Sequence, residues 1–159
     1  MKLNDFVVTD AIIPALQATS RDEAITEMVD ALIAAKAIPK GLRDEVIKLV
    51  LERENQGSTG FGKGVAVPHV KHDKIKKVTA AVAVSHSGVD FNALDNNAPV
   101  YSMFLVASPK DKPDEHLQAM ENLFVHLQND MFRKFMRQAE TKEAVIDVLN
   151  EADAGQLAR

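Results

Sequence analysis

The chain of 159 residues contains no cysteine and no tryptophan, and it has a single tyrosine. Without cysteine there is no thiol nucleophile, no thiolate-bound metal and no disulfide framework. With so few tyrosine and tryptophan rings, a stacking platform for single-stranded nucleic acid is missing. Positive charge is not in excess: 19 Lys and Arg against 23 Asp and Glu leave a formal charge of −4, with a pI of about 5.7. No overall basic field favours a polyanion, so nucleic acid is not an expected partner. Long apolar runs are missing too. The opening MKLNDFVVTD lacks the apolar stretch of a signal peptide, and no window approaches the length of a membrane span. These absences predict a cytoplasmic protein without membrane insertion.

What is present suffices for one core. Hydrophobic residues make up 46% of the chain, and the length fits a single domain over residues 1–159. Ser20 and Glu23 have the S-x-x-E spacing of a capping box, and Ile25, Met28, Val29, Leu32 and Ile33 follow at helical spacing. Pro39 and Gly41 punctuate, and a second helix is predicted from about Leu42, with Val46, Leu49 and Val50 turned inward. Ala11 to Leu16 reads as a short strand. Gln56 to Gly64 (QGSTGFGKG) holds four glycines in nine residues and reads as a flexible loop. Val65 to Val67 is a short β-prone run that Pro68 is expected to stop.

The runs VTAAVAVS from Val78 and VYSMFLVA from Val100 have the length and continuous apolarity of strands buried on both faces. The polar stretch between them, 86–99, is expected to hold a short hairpin excursion. Pro113, followed by Asp114 and Glu115, marks a helix start. Leu117, Met120, Leu123, Phe124 and Leu127 continue it at 3–4 spacing. Met131 to Arg137 reads as a short helix, and Thr141 as the N-cap of a last one. Helices, strands and helices in that order predict an α/β fold, a mixed β-sheet flanked by helices on both faces.

Among residues able to carry chemistry, His69 stands out. It follows V-A-V-P just beyond the glycine-rich loop, a rigid but accessible position. An imidazole with an ordinary pKa of about 6.5 keeps a neutral nitrogen near neutral pH. Lys63, Lys71, Lys74, Lys76 and Lys77 make a basic rim around it, to which His72 is assigned. His69, His72 and Asp73 are close in sequence but lack further ligands at zinc spacing, so no metal is expected. His86 and His126 are read as structural. Met120, Phe124, Phe132 and Phe135 are read mainly as core, with some left as an exposed rim for docking.

The stretch from Glu52 to His69 resembles the active-site signature of the IIA components of the phosphoenolpyruvate-dependent sugar phosphotransferase system, fructose–mannitol class. The resemblance rests on Arg53, Glu54, Ser58, Thr59, Gly62, Val65, Ala66, Val67, Pro68 and His69. It extends over nearly the whole chain, because Asp114-Glu115-His116-Leu117 fits the family's second active-site histidine. The resemblance implies a histidine phosphotransferase in which an HPr-like phosphocarrier phosphorylates His69, and a IIB domain or a regulatory target protein is the next partner. It implies that His116 and Arg53 stabilise the phosphoryl group, with the hydroxyls of Ser58 and Thr59 as further hydrogen-bond donors to it, and that no cofactor is needed. Glu54 is read as a surface carboxylate. Val70 departs from the Gly or Ala usual after the active histidine, and its bulk is expected at the docking face. With no attached permease or IIB segment in the sequence, and an S-T-G-F-G loop, the reading leans to a nitrogen-regulatory IIA protein. A fructose-like sugar-specific IIA and a non-catalytic binding module of the same fold are the alternatives.

Overall fold

The computed structural model describes residues 1–92 and 98–157. Six strands and six α-helices run in the order α1 (Leu3–Phe6), β1 (Val7–Ile13), α2 (Arg21–Ala34), α3 (Arg43–Gln56), β2 (Gly60–Gly62), β3 (Val65–Ala66), β4 (His69–His72), β5 (Thr79–Val89), β6 (Val100–Pro109), α4 (Pro113–Leu127), α5 (Asp130–Gln138) and α6 (Lys142–Asp153). The strands form one mixed sheet in the order β1-β5-β6-β3-β2, with β4 also on β6. β5 and β6 pair antiparallel, whereas β1 on β5, and β3 and β4 on β6, pair parallel.

Both sheet faces are covered, as expected from the two continuous apolar runs. Along β5 and β6 successive side chains point to opposite faces. Val82, Val84, Phe104 and Val106 join a layer with α1, α4, α5 and α6. Ala81, Ala83, Met103 and Leu105 pack instead under α2 and α3. The strands exceed their predicted lengths. β5 runs on to Val89, which pairs with Val100, so the first four residues of the hairpin excursion expected over 86–99 belong to this strand, and 93–97 lie outside the described residues. β1 begins four residues before the predicted strand and ends at Ile13, because Pro14 has no N–H for the ladder.

Local signals place most helix starts. Ser20 Oγ accepts the Glu23 amide at 3.3 Å, but the Glu23 carboxylate accepts the Ser20 hydroxyl rather than the Ser20 amide. The capping box is therefore half formed. Asn129 Oδ1 accepts the amides of Met131 and Phe132 and opens α5, and Thr141 Oγ1 accepts that of Ala144.

Two findings bear on His69. The glycine-rich stretch contains β2, which turns through Lys63 and Gly64 into β3 as a two-residue hairpin. Both turn residues have positive φ, 61° and 76°, the combination that a primed turn requires. Pro68, expected to stop the strand, only interrupts it. β3 pairs with Ser102 and Met103, and β4 resumes at His69 on Val106 of the same neighbour. Pro68 lacks an N–H but keeps its carbonyl, which accepts the Val106 amide at 3.0 Å. His69 therefore stands at the start of a paired strand, not in a loop.

Candidate active site

The backbone around His69 settles which ring nitrogen is available. His69 Nδ1 lies 2.9 Å from the Val67 carbonyl oxygen. A carbonyl can only accept, so in the neutral ring Nδ1 carries the proton and Nε2 keeps the lone pair. The ring is half-buried at the edge of a groove of about 360 Å³, whose lining includes Leu49, Arg53, Gln56 and Lys71.

α4 brings the second histidine to the first. His116 sits in its opening turn and is buried, and its ring centroid lies 5.6 Å from that of His69 at an interplanar angle of 49°. His116 Nδ1 is 2.6 Å from the Ser108 hydroxyl, which is fully buried in β6. Burial pushes His116 down to about 4, with the His69 and Lys71 charges adding to the shift. Burial also lowers the His69 pKa; Arg53 and Lys71 act in the same direction, while the Val67 carbonyl and Glu54 oppose it. Both rings are held neutral near pH 7, as a nitrogen nucleophile and a neutral N–H donor require.

Arg53, in the last turn of α3, donates from Nη1 to the Gly57 carbonyl at 2.9 Å. It thus caps its own helix while its guanidinium lines the His69 groove. The hydroxyls expected to face phosphate have protein partners. Ser58 Oγ donates to the Phe91 carbonyl at 2.7 Å and accepts the Gly60 amide at 3.0 Å. Thr59 Oγ1 donates to the Glu54 carboxylate, which also accepts the Thr59 amide at 2.9 Å.

Glu54 is therefore not the surface carboxylate that the sequence reading made it. It is 3% exposed and ties the glycine-rich segment to α3. The signal was present: Val46, Val50 and Glu54 lie four residues apart and so share one helix face. His72 likewise is buried rather than part of a basic rim. Its Nδ1 accepts the Lys74 amide at 2.9 Å, which leaves Nε2 to donate to Glu45 at 3.1 Å. Val70 is 5% exposed and packs into the layer beneath α2 and α3, so its bulk goes into the core instead of the docking face. Among the described residues no group of three or more His, Asp or Glu is placed to hold a metal. No helix among them is long and apolar enough to cross a membrane. Of the residues read as core or rim, Phe132 is buried and Phe124 exposed, and the exposed apolar side chains also include Leu117, next to His116, and Val125.

The family model of the phosphoenolpyruvate-dependent sugar phosphotransferase system, EIIA 2, matches residues 5–152. The chain belongs to this EIIA type 2 family. Members of the family are phosphotransfer carriers. A fructose-specific EIIA component of Haloferax volcanii is 34% identical over 132 residues, covering 83% of this chain and 84% of the relative. A nitrogen regulatory protein of Bradyrhizobium diazoefficiens is 32% identical over 151 residues, covering 94% and 95%. A fructose-specific EIIABC component of Bacillus subtilis is 31% identical over 153 residues; these are 96% of this chain but only 24% of that longer protein. The crystal structure of nitrogen regulatory protein IIA-Ntr from Neisseria meningitidis superposes with a TM-score of 0.82 at 25% identity, over 92% of this chain and 98% of that one. Sugar-specific and nitrogen-regulatory EIIA proteins are thus both close relatives.

The sequence reading missed Ser108 at this candidate site. No local motif marks it, since its contact to His116 depends on how α4 folds back on β6.

Proposed function

We propose that this EIIA protein, acting as one domain over residues 1–159, is a phosphohistidine carrier with His69 as acceptor. The observation that carries the reading is the Val67 carbonyl, which holds His69 Nδ1 and leaves the Nε2 lone pair as nucleophile. Nε2 attacks the phosphorus of the donor's phosphohistidine. One N–P bond forms as the other breaks, and the donor imidazole leaves with the electron pair of the broken bond. An HPr-like phosphocarrier fits as donor. His116 helps when the Ser108 hydroxyl donates to Nδ1, because Nε2 then carries a proton to give to a phosphoryl oxygen. Arg53 and Lys71 add positive charge at the groove. Transfer between two histidines then needs positioning and charge stabilisation. Glu54, Ser58 and Thr59 contribute by fixing the segment that leads to His69, not by direct phosphate contact.

Within the family we favour the nitrogen-regulatory branch. Its support is the near end-to-end match to the Bradyrhizobium protein and the superposition on the Neisseria structure. The sugar-specific reading is favoured by the 34% identity to the Haloferax component. One experiment addresses both levels. The protein and its His69→Ala variant are incubated with phosphoenolpyruvate, enzyme I and HPr, and intact mass is read under non-acidic conditions. The expected result is one acid-labile phosphoryl group, absent from the variant. An unmodified wild-type protein would sink the carrier reading. Adding a fructose-type IIB domain then separates the branches: rapid, complete loss of the phosphoryl group to IIB would overturn the nitrogen-regulatory assignment.

A further inference from the structure

A second concave site opens between α5 and the β2–β3 hairpin, with a volume of about 600 Å³, and it shares no lining residue with the groove of His69. Its cations come from separate segments: Lys63 from the hairpin turn, and Arg133, Lys134 and Arg137 from α5. Asp130 is the one carboxylate in its lining, and it pairs with Arg133. Among the described residues no carboxylate lies within ion-pair distance of Lys63, Lys134 or Arg137. A chain of net charge −4 thus gathers around one cleft three cations that have no carboxylate partner among the described residues. The dipole at the C-terminal end of α5 favours Arg137, but it does not account for the convergence of two elements.

Two further features show that the cleft is built. The Arg137 guanidinium carbon sits 3.5 Å from the centroid of the Tyr101 ring, a contact that holds the guanidinium in place before any ligand arrives. Tyr101 is itself wedged. A Cβ at Gly64 would come within 3.3 Å of its ring, and one at Gly88 within 3.2 Å of the ring and 2.8 Å of Pro99. The second feature is Lys63, which sits at φ 61°, in the left-handed region where glycine or asparagine is the easier choice. The turn carries a lysine where the backbone disfavours it, and that lysine lines the cleft.

We infer that this cleft is a binding site for a small anion carrying linked phosphates, the chemistry shared by pyrophosphate and nucleoside diphosphates. Arg137 supplies a planar fork that matches phosphate oxygens, and Lys63 and Lys134 supply point charges on the rim, while Arg133, held by the Leu127 carbonyl and by Asp130, forms a fixed wall of the cleft.

The full-length protein provides its own probe, since Tyr101 is the only tyrosine and there is no tryptophan. Pyrophosphate and a nucleoside diphosphate are titrated separately, read by tyrosine emission and by backbone amide shifts. The expected result is saturable binding that shifts the amides of Gly64, Tyr101 and the residues of α5. Arg137→Ala should weaken it about tenfold, the effect of one charge-assisted contact. Lys63→Gly is the decisive variant, because it relieves the turn while removing a charge. Affinity should fall several-fold while the thermal midpoint holds or rises, opposite to what a purely structural lysine predicts. The pair Lys36→Ala and Lys40→Ala, on a different basic surface, should leave affinity unchanged. The inference is overturned by absence of saturation, by undiminished binding in either cleft variant, by equal loss in the control pair, or by stronger binding of an oligonucleotide than of pyrophosphate. A nucleoside diphosphate that binds much more tightly than pyrophosphate would identify the nucleotide as the ligand class.

Discussion

His116 carries a pH dependence that follows from where it is buried. Its pKa is about 4 in the fold against an ordinary value of 6.5, so between these values the unfolded chain binds a proton that the folded chain does not. Stability therefore falls as pH drops from 6.5 to about 4 and levels off below, with a contribution of roughly 3 kcal/mol over the window. Urea unfolding of wild type and His116→Gln at pH 7, 5.5 and 4.5 checks this: the variant should lose less stability on acidification. His69 is lowered as well, with the same sign, and its nucleophilic form should persist below pH 6.5. Glu54 gives a second prediction at this scale. Glu54→Ala removes the acceptor of the part-buried Thr59 amide and of the Thr59 hydroxyl. It should cost about 2 kcal/mol in chemical denaturation and slow phosphorylation of His69, because the segment leading to that residue loses its tie to α3.

At the scale of elements, helix starts are set by short polar side chains and the site is set by a strand. Asn129 accepts two amides at the start of α5. Asn129→Ala should destabilise the protein by about 1 kcal/mol, seen as a lower denaturation midpoint with an unchanged slope. The caps at Ser20 and Thr141 lie within a few residues of their partners, so the sequence pattern finds them, whereas Asn129 emerged only from the structure. The course of β3 and β4 along β6 was not legible in the same way. A proline after a three-residue β-prone run reads as a stop, and only the parallel register with Val106 shows that the strand resumes. Glu23 is an intermediate case, since the spacing finds the contact but not which group the carboxylate accepts.

Across the whole molecule, both core layers share the central strands β5 and β6. Phe104 faces one layer and Leu105 the other, so neither layer keeps its floor if the sheet is lost. Leu105→Ala should cost about 2–5 kcal/mol, although it touches only the layer beneath α2 and α3. Unfolding should stay a single step. Far-UV circular dichroism and Tyr101 emission, followed together in denaturant, should give coincident midpoints in wild type and variant. Separate midpoints would show that the layers unfold independently.

The sequence by itself determined the family and the mixed α/β architecture, and it singled out His69 and His116 as the candidate pair. Each is written in residue types at fixed spacing or in apolar periodicity, which a chain carries before it folds. The tertiary structure alone decided how their side chains are placed. It placed the rings of His69 and His116 5.6 Å apart, freed Nε2 by setting Nδ1 on the Val67 carbonyl, and set Ser108 behind His116. It also joined Ser58 to Phe91 across the fold and turned Val70 into the core. The Val67 contact is local, two residues along the chain, whereas the others follow from strand register and from how helices seat on the sheet. Both are settled by long-range packing, which no short stretch of sequence encodes.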